Sequence, residues 1–180
     1  MNQMKEKKLS SKTVYSGRVF DVLVDEVELP SGRKTSREVV RHNGAVGLVP
    51  LLDDGRIVLE EQYRYPAEEI LIEIPAGRLE EGEDPDDTAR RELLEETGYL
   101  ADTMERVLTF FTTPGYTSEK LYLYIARGLR KTESKPDFDE NIRLMEISVQ
   151  EALGLIKKGK IKDGKTIVAL LYCKELVSCD

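Results

Sequence analysis

The chain has 180 residues, of which 40% are hydrophobic and 34% charged, and its net charge is −7. That length and composition suit one globular domain with a real core and exclude a disordered or fibrous chain. The acidic balance argues against non-specific binding to nucleic acid or to an anionic membrane.

The first ten residues are polar and are expected to be frayed. The start, MNQMKEKKLSSK, has no apolar signal core, and no later run is long and apolar enough to span a membrane. Strands are expected over residues 12–17 and 19–29, then a turn at Pro30-Ser31-Gly32 and a strand over 35–42. Phe20, Val22 and Val24 alternate with Asp21, Leu23 and Asp25, so Phe20 and Tyr15 read as core residues. Residues 1–43 thus form an N-terminal antiparallel β-hairpin extension, and residues 44–178 the main domain. The extension is amphipathic and little needed for the main core, which points to a homodimer contact; packing on its own body is the alternative.

Residues 44–52 read as a buried strand, followed by the turn Asp53-Asp54-Gly55 and a strand over 56–65. A strand over 70–74 leads straight into Pro75-Ala76-Gly77. Beyond a helix discussed below come strands over 103–113 and 120–128, the second with Leu121, Leu123 and Ile125 on one face. The loop Pro114-Gly115-Tyr116-Thr117-Ser118 separates them, and an acidic loop over 131–141 precedes a strand over 142–147. Ser148 and Glu151 match a capping box for a helix over 148–158, and Asp163 is placed to cap another over 164–177. The order of elements predicts an α/β fold, a mixed sheet with helices on both sides. Two cysteines, Cys173 and Cys179, are expected as free thiols, which fits the cytoplasm. The single histidine, His42, argues against an imidazole zinc site and reads as a satisfied strand residue.

The most informative stretch runs from Gly77 to Tyr99, GRLEEGEDPDDTARRELLEETGY. Asp84 and Pro85 suit a helix start, Asp86 and Asp87 suit its positive end, and Gly98 suits the left-handed residue that stops it. Gly77 and Gly82 open the loop before the helix to close backbone approach. Ala89, Leu93 and Leu94 form the docking stripe, which leaves the glutamate side free. Glu92 and Glu96 lie one turn apart with Glu95 beside them, a spacing that repels in an isolated helix. Clustered carboxylates are what a Mg²⁺ ion prefers, along with water and phosphate oxygens. A solvated acidic helix face is the plainer alternative, and the glutamates alone favour it.

The stretch resembles the Nudix box, G-x5-E-x7-R-E-U-x-E-E-x-G-U, where U is bulky and apolar. Gly77, Glu83, Arg91, Glu92, Leu93, Glu95, Glu96 and Gly98 fall on its fixed positions, with Tyr99 as a somewhat polar last U. The resemblance implies a Nudix-type α/β/α sandwich and hydrolysis of a nucleoside diphosphate linked to another group. It implies Mg²⁺, with Mn²⁺ as the alternative, held by Glu92, Glu95, Glu96 and a backbone carbonyl near Ala76. Glu83 is expected to pair with Arg91 and orient the helix.

Pro114, sixteen residues after Gly98, together with Arg37-Glu38-Val39-Val40 and Glu61-Gln62-Tyr63-Arg64, resembles the ADP-ribose pyrophosphatase branch. That branch implies substrate contacts from Arg37, Glu38, Arg64, Gly77 and Pro114, the arginines gripping the diphosphate or terminal ribose through their rigid forks. It also implies a general base from a loop well past the box. Glu140 is the first choice there, followed by Asp139 and Glu95, and Arg91 completes the catalytic set. Tyr15 or Phe20 stacking on adenine is the alternative to their core role. Another nucleoside diphosphate derivative, or a non-catalytic nucleotide-sensing module, remains the competing function.

Overall fold

The computed structural model describes residues 4–132 and 141–177, with side chains to residue 174. Contacts divide the chain into two compact units, Met1–Gly44 with Phe111–Lys120, and Ala45–Phe110 with Leu121–Asp180.

The first unit is a three-stranded antiparallel sheet, β1 (Lys7–Ser16), β2 (Asp21–Glu28) and β3 (Lys34–Arg41), in that order. The chain is therefore already in a strand at Lys7, where fraying is expected from the polar sequence; pairing of Lys7 with Glu28 and Lys8 with Val27 holds it there. The buried face of β2 is Leu23, Asp25 and Val27, not Phe20, Val22 and Val24. Asp25 tolerates that face because Ser11 Oγ donates to it at 2.5 Å and Lys8 lies 3.5 Å away. Tyr15 and Phe20 are consequently 56% and 40% exposed and pack on each other at 6.0 Å between ring centroids, which overturns their core reading. The loop after Phe111 is stitched to β3: Val40 N donates to Tyr116 O and Ser118 N to Val40 O. His42 sits just past β3 with Nδ1 accepting from Gly44 N at 3.0 Å, satisfied as expected but outside the strand.

In the second unit, β4 (Ala45–Pro50) is central, with β7 (Ala76–Arg78) antiparallel on one side and β9 (Lys120–Lys131) parallel on the other. β8 (Tyr99–Phe111) follows β9 to complete a four-stranded mixed sheet. A second, antiparallel sheet is ordered β10 (Ile142–Ser148), β5 (Arg56–Arg64) and β6 (Glu69–Glu73). β4 and the first half of β5 are buried on both faces. Val49, Ile57 and Leu123 join a core under α2 (Val149–Lys157) and α3 (Gly164–Val177), while Val46, Leu48 and Val58 join another under α1 (Pro85–Thr97). This gives the expected α/β/α sandwich, with two sheets in its middle layer.

The helix ends follow their local signals. Asp84 accepts from Asp86 N at 2.8 Å, and Gly98 closes α1 at φ 70°. Ser148 and Glu151 form the reciprocal capping box of α2. Asp163 accepts from both the N–H and the hydroxyl of Thr166 in the first turn of α3. Cys173 is a free thiol buried in α3, and burial pushes its pKa up to about 11. Cys179 and the acidic loop residues 133–140 lie outside the described residues. No described helix is long and apolar enough to cross a membrane.

Candidate active site

Strand β7 is only three residues long, too short for any periodicity to announce it, yet it positions the site. It pairs Ala76 with Gly47 and Gly77 with Val46, which fixes its backbone beneath α1. Ala76 N donates to Glu96 Oε2 at 2.8 Å. Glu92 lies so close over Gly77 that a β-carbon there would sit 1.9 Å from its carboxyl carbon. A side chain at this position would have to displace the Glu92 carboxylate.

The glutamate side of α1 is therefore not free. Glu92 and Glu96 are only 8% and 5% exposed, and Ala89 and Leu93 dock beside them, while Leu94 is half-buried. The helix packs its acidic stripe against β7, since backbone N–H and guanidinium donors there compensate buried carboxylates.

Arg91 supplies most of that compensation. Its Nη1 lies 2.7 Å from Glu92 Oε1 and 3.1 Å from Glu95 Oε2. Its Nε and Nη2 donate to the two oxygens of Glu83 at 3.3 and 3.2 Å. Partial burial works against the Arg91 charge, but the Glu83 hydrogen bond and the Glu92 and Glu95 carboxylates outweigh it and hold the guanidinium protonated beyond the ordinary arginine range. Arg91 in turn, with the Glu80 N–H, holds the Glu83 carboxyl below its usual range. The expected Glu83–Arg91 pair is present, and one guanidinium gathers three carboxylates.

Among the described residues, no three carboxylate, imidazole or thiol groups are arranged to hold a metal ion as they stand. Glu92 and Glu95 face Arg91, and Glu96 faces the Ala76 N–H. The donor set nevertheless suits a hard divalent cation in its chemistry, because Glu92, Glu95 and Glu96 offer only oxygen from adjoining turns of one helix.

Arg64 lies at the end of β5, and Glu73 at the end of β6 takes both its Nε (2.9 Å) and Nη2 (2.8 Å). Glu73 is 1% exposed and also bonded by Lys165 from the first turn of α3. Its burial would raise its pKa, but the Arg64 hydrogen bonds and the Lys165 charge prevail and lower it. The sequence reading missed Glu73 and Lys165. A signal for Glu73 was available, a lone carboxylate inside the apolar run Ile70-Leu71-Ile72-Glu73-Ile74.

Arg37, Glu38 and Pro114 all belong to the first unit, where the Pro114 loop runs beside β3, the strand that carries Arg37 and Glu38. All three are exposed, and Arg37 makes a two-pronged pair with Glu6. Glu140, the first choice for the base, and Asp139 lie outside the described residues.

The model of the NUDIX domain matches residues 41–170. The chain belongs to the Nudix family. Residues 6–40 of this Nudix protein match the nucleoside diphosphate sugar hydrolase N-terminal domain. The chain is 47% identical to the methanol dehydrogenase activator of Bacillus methanolicus, over 93% of its length and 91% of that protein. It is 40% identical to the ADP-ribose pyrophosphatase of Bacillus subtilis strain 168, over 96% of its length and 94% of the relative. Its fold matches a crystal structure of an ADP compounds hydrolase with a TM-score of 0.86, at 24% identity, over 97% of this chain and 95% of that one.

The contact at Gly77 yields a direct test. Gly77→Ala is expected to destabilise the protein by about 1–3 kcal/mol, the usual cost of overpacking, and to reduce turnover because relief requires Glu92 to move. Thermal unfolding and hydrolysis rates check it; an unchanged melting temperature with unchanged turnover would mean that Glu92 is not held over the strand.

Proposed function

We propose that this Nudix hydrolase cleaves the diphosphate bond of ADP-ribose, giving AMP and ribose 5-phosphate. The observation that carries the reading is 40% identity to a protein named ADP-ribose pyrophosphatase, over 96% of the chain. The intact box and its buried carboxylates support it.

Water attacks one phosphorus while the bond from that phosphorus to the bridging oxygen breaks, and the bridging oxygen leaves on the other phosphate. Attack at either phosphorus gives the same two products. Glu92, Glu95 and Glu96, with the Ala76 carbonyl, are the residues we assign to hold Mg²⁺, with Mn²⁺ as a substitute. Such an ion supplies positive charge against the diphosphate oxygens and lowers the pKa of the attacking water. Arg91 keeps Glu83, Glu92 and Glu95 in register. Glu140 accepts the proton of the water, with Asp139 and Glu95 as the alternatives.

Arg37, Glu38, Arg64, Gly77 and Pro114 make up the proposed substrate-binding set. The Arg37–Glu6 pair is exposed, so exchanging it for a phosphate costs little, about 0–1 kcal/mol for a surface pair. The protein acts as a homodimer joined through residues 1–43, a reading supported by the exposed apolar residues Val14, Tyr15, Val19 and Phe20 in that segment. The cytoplasm is the proposed compartment, on the strength of the free Cys173 thiol.

A second reading is favoured by the 47% identity to the methanol dehydrogenase activator. In it the physiological target is a dehydrogenase system. The match of residues 6–40 also keeps other nucleoside diphosphate sugars in view.

A panel of nucleoside diphosphate derivatives assayed with Mg²⁺ in ¹⁸O water, with methanol dehydrogenase in a parallel arm, separates these readings. ADP-ribose should be the preferred substrate; enhanced alcohol oxidation without ADP-ribose cleavage would favour the second reading. Glu96→Gln should abolish nearly all hydrolysis, since divalent stabilisation of phosphoryl charge is worth several kcal/mol. Glu140→Gln should lower turnover at least about tenfold while sparing substrate binding, within the usual worth of a general base; full turnover would move the role to Glu95 or Asp139. Sedimentation at micromolar concentration should return a dimer, and a monomer there removes the proposed N-terminal contact.

A further inference from the structure

Two arginines are proposed to meet the substrate, and they are held in opposite ways. Arg37 rests in an exposed pair with Glu6 that a ligand can displace. Arg64 is locked. Its Nε–H and one N–H of Nη2 are spent on Glu73, whose carboxylate is almost fully buried and cannot be released to water. The two-pronged grip on phosphate that the sequence suggested for Arg64 is therefore unavailable from that edge of the guanidinium.

Stability does not account for the arrangement. A buried ion pair costs much of what it gains, and apolar replacements of similar volume are often neutral or better. Here Glu73 also takes Lys165 on Oε2, the oxygen that Arg64 Nη2 already bonds, and Lys165 lies 3.1 Å from Asp163. The same turn of α3 is fastened to the strand, with Ile74 N donating to the buried Thr166 hydroxyl at 2.8 Å. Two residues further on, Ala76 N holds Glu96, and Glu96 lies close enough for its charge to act on Arg64. The segment from Glu73 to Gly77 thus ties the start of α3 on one side to the carboxylates of α1 on the other.

We propose that Glu73, supported by Lys165, is a positioning residue that grips the Nε/Nη2 edge of Arg64 and turns the opposite Nη1/Nη2 edge to the substrate diphosphate. Glu73 acts only through Arg64, and the arginine contributes an end-on fork whose direction is fixed before the substrate arrives. The proposal rests on the diphosphatase reading above.

The test compares wild type, Glu73→Gln, Arg64→Lys and the double variant for kcat and KM with ADP-ribose, for ADP binding by calorimetry, and for the Arg64 Nε–H resonance. Glu73→Met combined with Lys165→Met provides a second way to remove the grip, one that does not leave Lys165 facing an empty Glu73 position. Each loss of the grip should raise KM about tenfold, the scale of one charge-assisted hydrogen bond, while kcat changes less than about twofold. The Arg64 resonance should move or broaden, and the Glu73→Gln and Arg64→Lys effects should not add. A folded Glu73 variant with wild-type KM and an unmoved Arg64 resonance overturns the proposal, as do additive effects in the double variant. Wild-type protein that neither cleaves ADP-ribose nor binds ADP removes the substrate reading and this assignment together; wild-type cleavage with an unmoved KM in the variants removes this assignment alone.

Discussion

The site depends on α1 being pressed against β7 by its own acidic side chains. Helices ordinarily dock through an apolar stripe and leave carboxylates in water. Here Ala89 and Leu93 supply the stripe, but Glu92 and Glu96 go under as well. The Ala76 N–H and the missing β-carbon of Gly77 make room and compensation for them. Arg91 then draws Glu83 from the preceding loop onto the same patch. Spacing along the box thus reflects a packing problem as much as a ligand-binding one. Gly77 lies fifteen residues before Glu92 because β7, the loop and two turns of helix must return the chain to itself.

What was legible in the sequence was what is decided locally. Asp84 and Pro85 start α1, Gly98 stops it, and Ser148 with Glu151 start α2, because the groups that satisfy these ends are within a few residues. Alternation correctly placed Leu121, Leu123 and Ile125 in one core. It failed for Tyr15 and Phe20, since an apolar alternation in a thin sheet does not say which face will be covered. Asp25 was the better guide: a carboxylate can sit on the inner face when Ser11 and Lys8 reach it. β7 was invisible because its pairing to β4 is dictated by tertiary structure alone. Glu73 was readable as an anomaly, but its partners, nine residues back and ninety-two ahead, were not.

The structure also separates two kinds of charge. Exposed pairs such as Arg37–Glu6 and Lys162–Glu69 are bathed in solvent and exchange partners cheaply. Arg91 and Arg64 instead sit among carboxylates that are largely withdrawn from water, where geometry is set before any ligand arrives. Preorganisation of that sort is what a site handling phosphoryl charge needs, since donors already fixed in place cost no reorganisation during reaction.

Burial of Cys173 has a practical corollary. With its thiol raised to about 11, roughly 10⁻⁴ of it is thiolate at neutral pH, and its sulfur is covered by the core. An electrophile can capture it only when α3 lifts from the sheet. The helix thereby carries its own clock: the pace of alkylation at this one sulfur counts its opening events.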